Sequence, residues 1–328
     1  MNHACLLTAL GVYTPEHRLT NAELCTMVDT SDEWITSRTG ICSRRRLAPE
    51  ESTATMGLAA AKRALQSSGI QPQDLSHIIV ATCTPDKLCP STACIIAGSL
   101  GAPSCMAFDI NAACSGYLYG VSLCRSILAG QPDATILFIA AEAMTRRMNW
   151  NDRSTCVLFG DGATASIFSA TAEQPLAQVR DVLCDADCSL HSLITIGGGA
   201  EKELPAGQSI EDDFFLQMQG REVFKHAVRR MAEACKTLLE RNGLTIHDID
   251  LLVPHQANMR IIDAVGSRLG IASSKVFANV EQYGNTSAAS VPLALAEALQ
   301  TQVLSHGKRV LCVSFGAGLT WSALLLDF

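Results

Sequence analysis

Apolar and polar positions along this 328-residue chain fall into two rhythms. Short, nearly continuous apolar runs read as strands, His77-Ile-Ile-Val80 as a buried one and Cys105-Met-Ala-Phe-Asp-Ile110 as an apolar one. Between such runs lie stretches with apolar side chains at helical spacing, for example Gly116 to Leu128, with Gly130 as a stop signal. Strands alternating with helices predict an α/β protein with largely parallel sheets and helices packed against them. The segment Ala288 to Leu299 is apolar nearly all round, which predicts helices sandwiched inside the core. Asp185 to Asp213 breaks the pattern. It is rich in Gly, Ser and charge, includes Gly197-Gly-Gly199, and reads as a long loop or flap.

The pattern also repeats. Leu58-Ala-Ala-Ala-Lys-Arg-Ala-Leu-Gln-Ser-Ser-Gly69 can be laid on Ala232-Glu-Ala-Cys-Lys-Thr-Leu-Leu-Glu-Arg-Asn-Gly243, an offset of 174 residues. Without a gap, Asp74 to Val80 then falls on Asp248 to Pro254, and Asn111-Ala-Ala-Cys114 on Asn285-Thr-Ser-Ala288. Phe159-Gly-Asp-Gly-Ala-Thr-Ala-Ser166 resembles Phe315-Gly-Ala-Gly-Leu-Thr-Trp-Ser322 at a shorter offset of 156. Four motifs in one order predict a duplicated α/β unit, with halves spanning residues 1–172 and 173–328.

Composition changes this picture only by exclusion. With 48% hydrophobic residues the chain has ample material for a buried core. No apolar run reaches membrane-span length, and the first residues lack the order of a secretory signal, so no membrane insertion and a cytoplasmic location are expected. A net charge of −7 argues against a nucleic-acid partner. The 14 cysteines are scattered, none in a CxxC pair, and the nearest pair, Cys184 and Cys188, lacks partners at zinc spacing. Free thiols and no metal follow as expectations.

Among those cysteines Cys114 stands apart by position. It lies where a strand gives way to a helix, facing unpaired backbone N–H groups and the positive helix end, which predicts a thiolate. In the second half, Val253-Pro-His255-Gln-Ala-Asn258 follows a buried strand, a place where α/β proteins set ligand-binding side chains. Asn285 opens the helix equivalent to that of Cys114. Pseudo-symmetry brings the two helix starts together, so Cys114, His255 and Asn285 form a nucleophile constellation. The loop Phe315-Gly-Ala317-Gly318 follows a strand and can offer backbone N–H groups as an oxyanion hole. Neither a dinucleotide fingerprint nor a P-loop is present.

Asp29-Thr-Ser-Asp-Glu-Trp-Ile-Thr-Ser-Arg-Thr-Gly40, Asn111-Ala-Ala-Cys114-Ser-Gly, Phe159-Gly-Asp-Gly162, His255-Gln-Ala-Asn258, Gly284-Asn285-Thr-Ser and Phe315-Gly-Ala-Gly-Leu-Thr-Trp321 resemble, in order, the motifs of β-ketoacyl-acyl-carrier-protein synthase III. That family, of the thiolase-like fold, initiates bacterial type II fatty acid synthesis. The resemblance implies two duplicated halves in a layered α-β-α-β-α arrangement, acting as a homodimer. It implies a decarboxylative Claisen condensation of an acyl-CoA with malonyl-acyl-carrier protein, with no cofactor beyond the coenzyme A thioester used as substrate. Cys114 would carry the acyl group, the N–H groups of Cys114 and Ala317 its oxyanion, and His255 and Asn285 the enolate oxygen. Trp34, Arg38 and Arg153 would line the coenzyme A channel. Met218, Gly220, Phe224, Asn258 and Phe315 would line the pantetheine tunnel and substrate site. Lys225 and Arg260 would dock the acidic carrier protein.

Three positions depart from the family pattern. Cys89 stands where an aromatic usually closes the acyl pocket across the subunit interface, which implies room for primers longer or more branched than acetyl. Arg221 stands where Asn is common at the tunnel mouth, and Ala317 in a loop that is usually all glycine. Cys89 and Arg221 keep open an alternative, a specialised condensing enzyme or acyltransferase of secondary metabolism using a longer or branched acyl-CoA.

Overall fold

The computed structural model describes residues 3–102, 104–199 and 214–328. Its centre is a nine-stranded sheet. From one edge to the other the strands are Leu251–Pro254, Arg309–Gly316, Thr320–Asp327, Ala177–Ala186, Leu6–Tyr13, Gly162–Ser169, Ile136–Glu142, His77–Ala81 and Met106–Ile110. The two inner strands meet through only two paired positions, Leu6 with Gln178 and Leu7 with Ala177. Outward from that seam each side runs in the same connectivity. The fifth position of the second side is held by one parallel bridge between Leu252 and Val276.

The sheet is mixed rather than largely parallel. Three of its eight strand pairings are parallel. Two of the five antiparallel pairings arise where no crossover helix intervenes: Arg309–Gly316 returns directly as Thr320–Asp327, and the link from Glu142 to Gly162 contains only a short 3-10 helix, Met144–Arg147.

Helices cover both outer faces and fill the middle. On one outer face Ala60, Ala61 and Ala64 of helix Thr53–Ser68, with Ile96 of Thr92–Leu100, pack on Ile78, Val80 and Ile139. On the other, Met231, Cys235 and Leu238 of Gly220–Arg241 and Val265 of Met259–Leu269 pack on Leu252, Leu311 and Val313. Between the two sides, Leu118, Val121 and Cys124 of Gly116–Gly130 share one core with Val291, Ala294 and Leu295 of Ser290–Gln300. Strand residues from both sides, Ile79 and Phe138, Val253 and Cys312, close that core. The result is the five-layered α-β-α-β-α order, and the nearly all-round apolar character of these two helices follows from their central place.

The duplication is visible in local detail. The short 3-10 helices Pro72–Asp74 and Ile246–Asp248 occupy matching positions, each held by an Asp carboxylate accepting from the backbone N–H three residues earlier. Both lead into strands, His77–Ala81 and Leu251–Pro254. Gly130 is the last residue of its helix rather than a residue beyond it. The segment expected as a loop contains a 3-10 helix, Cys188–Leu193, and a short strand, Ile194–Thr195, that pairs with Gln217–Met218. Residues 200–213 of that expected flap lie outside the described residues.

Candidate active site

Cys114 sits in a 3-10 turn, Ala113–Ser115, immediately before helix Gly116–Gly130. Its duplicate, Ala288, sits in the turn Ser287–Ala289 before helix Ser290–Gln300. Both turns are built the same way. Asn111 Oδ1 accepts from the N–H of Ala113 at 3.1 Å, and Asn285 Oδ1 accepts from that of Ser287 at 2.9 Å. Ala113 and Ser287 are two of the three non-glycine residues with positive φ among the described residues, at 46° and 50°. Each such residue carries strain of order 1–3 kcal/mol that only a fixed surrounding tolerates. The two turns touch: Cys114 Sγ lies 3.4 Å from Ser287 Oγ.

Glycines at equivalent places let the flanking loops reach these turns. A Cβ on Gly316 would lie 2.8 Å from Cys114 N and 3.0 Å from Ser115 N. A Cβ on Gly160 would lie 2.3 Å from the carbonyl of Tyr283. Through that gap Gly160 N–H reaches the Asn285 carbonyl at 3.1 Å, and Asn285 N–H the Leu158 carbonyl at 2.8 Å.

The three expected residues open on one cavity of about 740 Å³. His255 follows strand Leu251–Pro254 and is 3% exposed. Its backbone is pinned by Val313, and its Nδ1 is buried with no hydrogen-bond partner among the described residues. A second proton would have to sit on that unpartnered nitrogen, and burial depresses the imidazole to about 4. The neutral ring with hydrogen on Nε2 leaves only a lone pair orphaned at Nδ1 and turns a donor toward the cavity. Asn285 also has its orientation set. With Oδ1 held by Ser287, its Nδ2 is left as the free donor.

The expected thiolate is corrected by the structure. Cys114 opens on the cavity, yet burial pushes its thiol up to about 12; the hydrogen bond to Ser287 works against this and the neighbouring Glu142 carboxylate adds to it. At rest Cys114 is a thiol and requires a proton acceptor.

Trp34, on helix Asp32–Thr39 capped by Ser31, lines the cavity with Arg38. The guanidiniums of Arg38 and Arg153 lie 4.9 and 5.0 Å from its ring centroid. Arg153 stacks on Trp34 without lining the cavity, and donates to the Asp29 carbonyl at 3.1 Å. Met218, Gly220, Phe224, Asn258, Phe315 and Ala317 all line the cavity. Asn258 also caps helix Met259–Leu269 through Oδ1. Arg221, Lys225 and Arg260 are exposed at the mouth, Lys225 paired with Glu222 and Arg260 lying over Phe224. Cys89 is not brought to the cavity within one chain. It is exposed beside Leu88, which is 85% exposed. All 14 cysteines are free.

Sequence reasoning missed Glu142, Ser287 and Cys83. Glu142 ends strand Ile136–Glu142, is 0% exposed, and accepts hydrogen bonds from Cys83 N–H, Thr84 Oγ1 and Ser287 Oγ. A lone carboxylate closing an otherwise wholly apolar run was the available signal.

Comparison with known proteins now bears on this site. The family models described as 3-oxoacyl-[acyl-carrier-protein] synthase III and its C-terminal domain match residues 108–188 and 239–328. A β-ketoacyl-[acyl-carrier-protein] synthase III of Nitratidesulfovibrio vulgaris is 54% identical, covering 99% of this chain and 98% of the relative. The chain belongs to the β-ketoacyl-acyl-carrier-protein synthase III family. Among solved structures, the synthase III of Aquifex aeolicus is 42% identical, with a TM-score of 0.91, covering 99% of this chain and 100% of that one. The priming β-ketosynthase of the R1128 polyketide pathway is 35% identical at a TM-score of 0.89, with 99% and 97% coverage. The synthase III fold thus accounts for 99% of this chain.

Proposed function

We infer that this chain condenses an acyl-CoA primer with malonyl-acyl-carrier protein, losing carbon dioxide and giving 3-ketoacyl-acyl-carrier protein, the initiating step of fatty acid synthesis. The observation that carries this is the convergence of one thiol and two oriented, uncharged donors, His255 Nε2–H and Asn285 Nδ2, on one cavity. In the first stage Cys114 Sγ attacks the thioester carbonyl and coenzyme A leaves. Gly316 lets the Ala317 turn approach, so that N–H groups of Cys114 and Ala317 serve the oxyanion. In the second stage the malonyl carboxylate departs as carbon dioxide, and its electron pair becomes the thioester enolate. Two neutral donors suit the enolate oxygen, because a charged imidazolium would risk protonating the carbanion. Decarboxylation supplies the carbanion, so the reaction needs no base for carbon and no resident cofactor.

Trp34 with Arg38 and Arg153 offers an aromatic face and two cations to the adenine and phosphates of coenzyme A. Arg221, Lys225 and Arg260 give an otherwise acidic chain a basic mouth for an acidic carrier protein. A homodimer is part of the proposal. Met106–Ile110 is an edge strand, and Met106 is 60% and Leu88 85% exposed, apolar surface that a second copy would cover. Such a copy would carry Cys89 toward the acyl pocket. No helix among the described residues is long and apolar enough to cross a membrane. A cytoplasmic location belongs to the proposal.

The test is to incubate the protein with a panel of acyl-CoAs, locate the adduct by mass spectrometry, and add malonyl-acyl-carrier protein. An acyl group on Cys114 that is consumed as 3-ketoacyl product is expected. No adduct with any primer refutes the reading, and an adduct without condensation redirects it to simple acyl transfer.

A further inference from the structure

The mechanism above leaves one group unused and one proton unplaced. Cys114 is a thiol at rest, so its proton must leave before sulfur attacks. The buried Glu142 lies two hydrogen bonds away, through a single hydroxyl. Cys114 Sγ lies 3.4 Å from Ser287 Oγ, and Ser287 Oγ lies 3.0 Å from Glu142 Oε1.

The direction of these bonds is fixed by their surroundings. Thr84 Oγ1 accepts from Ala143 N–H at 2.8 Å, so its own hydrogen is free for Glu142 Oε2 at 2.7 Å. Thr82 Oγ1 accepts from Thr84 N–H at 3.0 Å and faces the same oxygen at 3.2 Å. Cys83 N–H lies 3.2 and 3.1 Å from the two carboxylate oxygens. Glu142 is therefore surrounded by donors, the pattern of an ionised carboxylate. Among the described residues no Lys or Arg pairs with it. A Cys114 thiolate near this carboxylate would place two negative charges within two hydrogen bonds of each other. Passing the thiol proton to Glu142 keeps the charge of the couple at a single negative unit.

We propose that Glu142, acting through Ser287, takes the Cys114 proton during acylation and holds it until the product leaves. As sulfur bonds to the acyl carbon, the thiol hydrogen passes to Ser287 Oγ and the Ser287 hydrogen to Glu142 Oε1. The carbon–sulfur bond to coenzyme A breaks, and the departing thiolate takes a proton from water. In condensation the enolate carbon displaces Cys114 sulfur, and the chain of hydrogen bonds runs backwards to restore the thiol and the Glu142 carboxylate. The balance closes, because the overall reaction consumes one proton: acyl-CoA, malonyl thioester carboxylate and a proton give 3-ketoacyl thioester, carbon dioxide and coenzyme A thiol. The relay sets when that proton is taken up, at acylation rather than at condensation. Glu142 and Ser287 are positioning residues, since neither touches the acyl group.

This inference rests on the condensing-enzyme reading, and its test separates the two. Single-turnover acylation of the full-length protein by acyl-CoA near neutral pH, in weak buffer with a pH indicator, counts protons against acyl-Cys114 measured by mass spectrometry. About one proton taken up per acyl-enzyme is expected for the wild type, and none in Ser287→Ala or Glu142→Gln, whose acylation slows by roughly 100-fold. Acylation without proton uptake in the wild type overturns the relay while leaving the condensing-enzyme reading intact. Failure of the wild type to acylate with any primer overturns both. The wild-type count decides even where a variant does not fold, and wild-type acylation rates in Ser287→Ala also refute the relay.

Discussion

A His255 held neutral by burial makes a quantitative demand on stability. Its imidazole is depressed from 6.5 to about 4 in the folded chain. Between those values the unfolded chain binds a proton that the folded chain refuses, so stability falls as pH falls. Going from about pH 7.5 to about pH 4.5, the two values give a loss of about 2.5 kcal/mol from this one side chain. The comparison to make is wild type against His255→Gln, which keeps a neutral polar group of similar reach but cannot titrate. Asp161, pushed up to about 6 by its own burial, contributes a slope of opposite sign. It is present in both proteins and cancels in their difference. Denaturant unfolding followed across that pH range is expected to show the wild type losing about 2.5 kcal/mol more than the variant. Parallel acid curves would refute the assignment of a neutral, desolvated imidazole. Its role as a hydrogen-bond donor to the enolate would fall with it, because a freely protonated ring would be a cation through much of that range.

Other outcomes follow from the site's construction. Asn285→Ala is expected to leave acylation of Cys114 within about 3-fold while slowing condensation at least 100-fold, checked by separate single-turnover assays; equal loss in both would place Asn285 elsewhere in the mechanism. Gly316→Ala drives a methyl onto the backbone of Cys114 and Ser115, and should cost about 2 kcal/mol in unfolding free energy together with most of the acylation rate. Reversing both cations in Lys225→Glu/Arg260→Glu should raise KM for malonyl-acyl-carrier protein roughly 10-fold at low salt, a gap that narrows as salt is added. A salt-independent effect would mean the rim is not an electrostatic docking surface.

What could be read from the chain, and what could not, divides along a physical line. The duplication, the strand-to-turn-to-helix setting of Cys114 and the place of His255 at a strand end are written in contiguous residues, and local periodicity exposes them. The protonation state of Cys114 was misread because helix position is local, whereas desolvation depends on what packs around the sulfur from both halves. Sheet direction was misread for a related reason: the hairpin of Arg309–Gly316 and Thr320–Asp327 carries strand patterning that looks the same in either direction. Ser287 and Glu142 escaped notice since the bond between them spans 145 residues; Ser287 ends the Gly284-Asn285-Thr-Ser motif as an ordinary hydroxyl, and Glu142 lies in no motif. Cys89 implies a pocket wall only through a second copy, and within one chain it is simply exposed.

The paired strained turns at Ala113 and Ser287 carry a consequence for how this protein is allowed to change. Each half retains the same backbone seat, but only one holds a nucleophile; the other, with Ala288 in the mirror place, has its positive-φ residue pressed against the first half's sulfur. Because the contact to that sulfur comes from Ser287, the second seat contributes a hydroxyl to the first half's site rather than a nucleophile of its own. One seat per chain serves chemistry and the other supports it, so neither half holds a complete site alone.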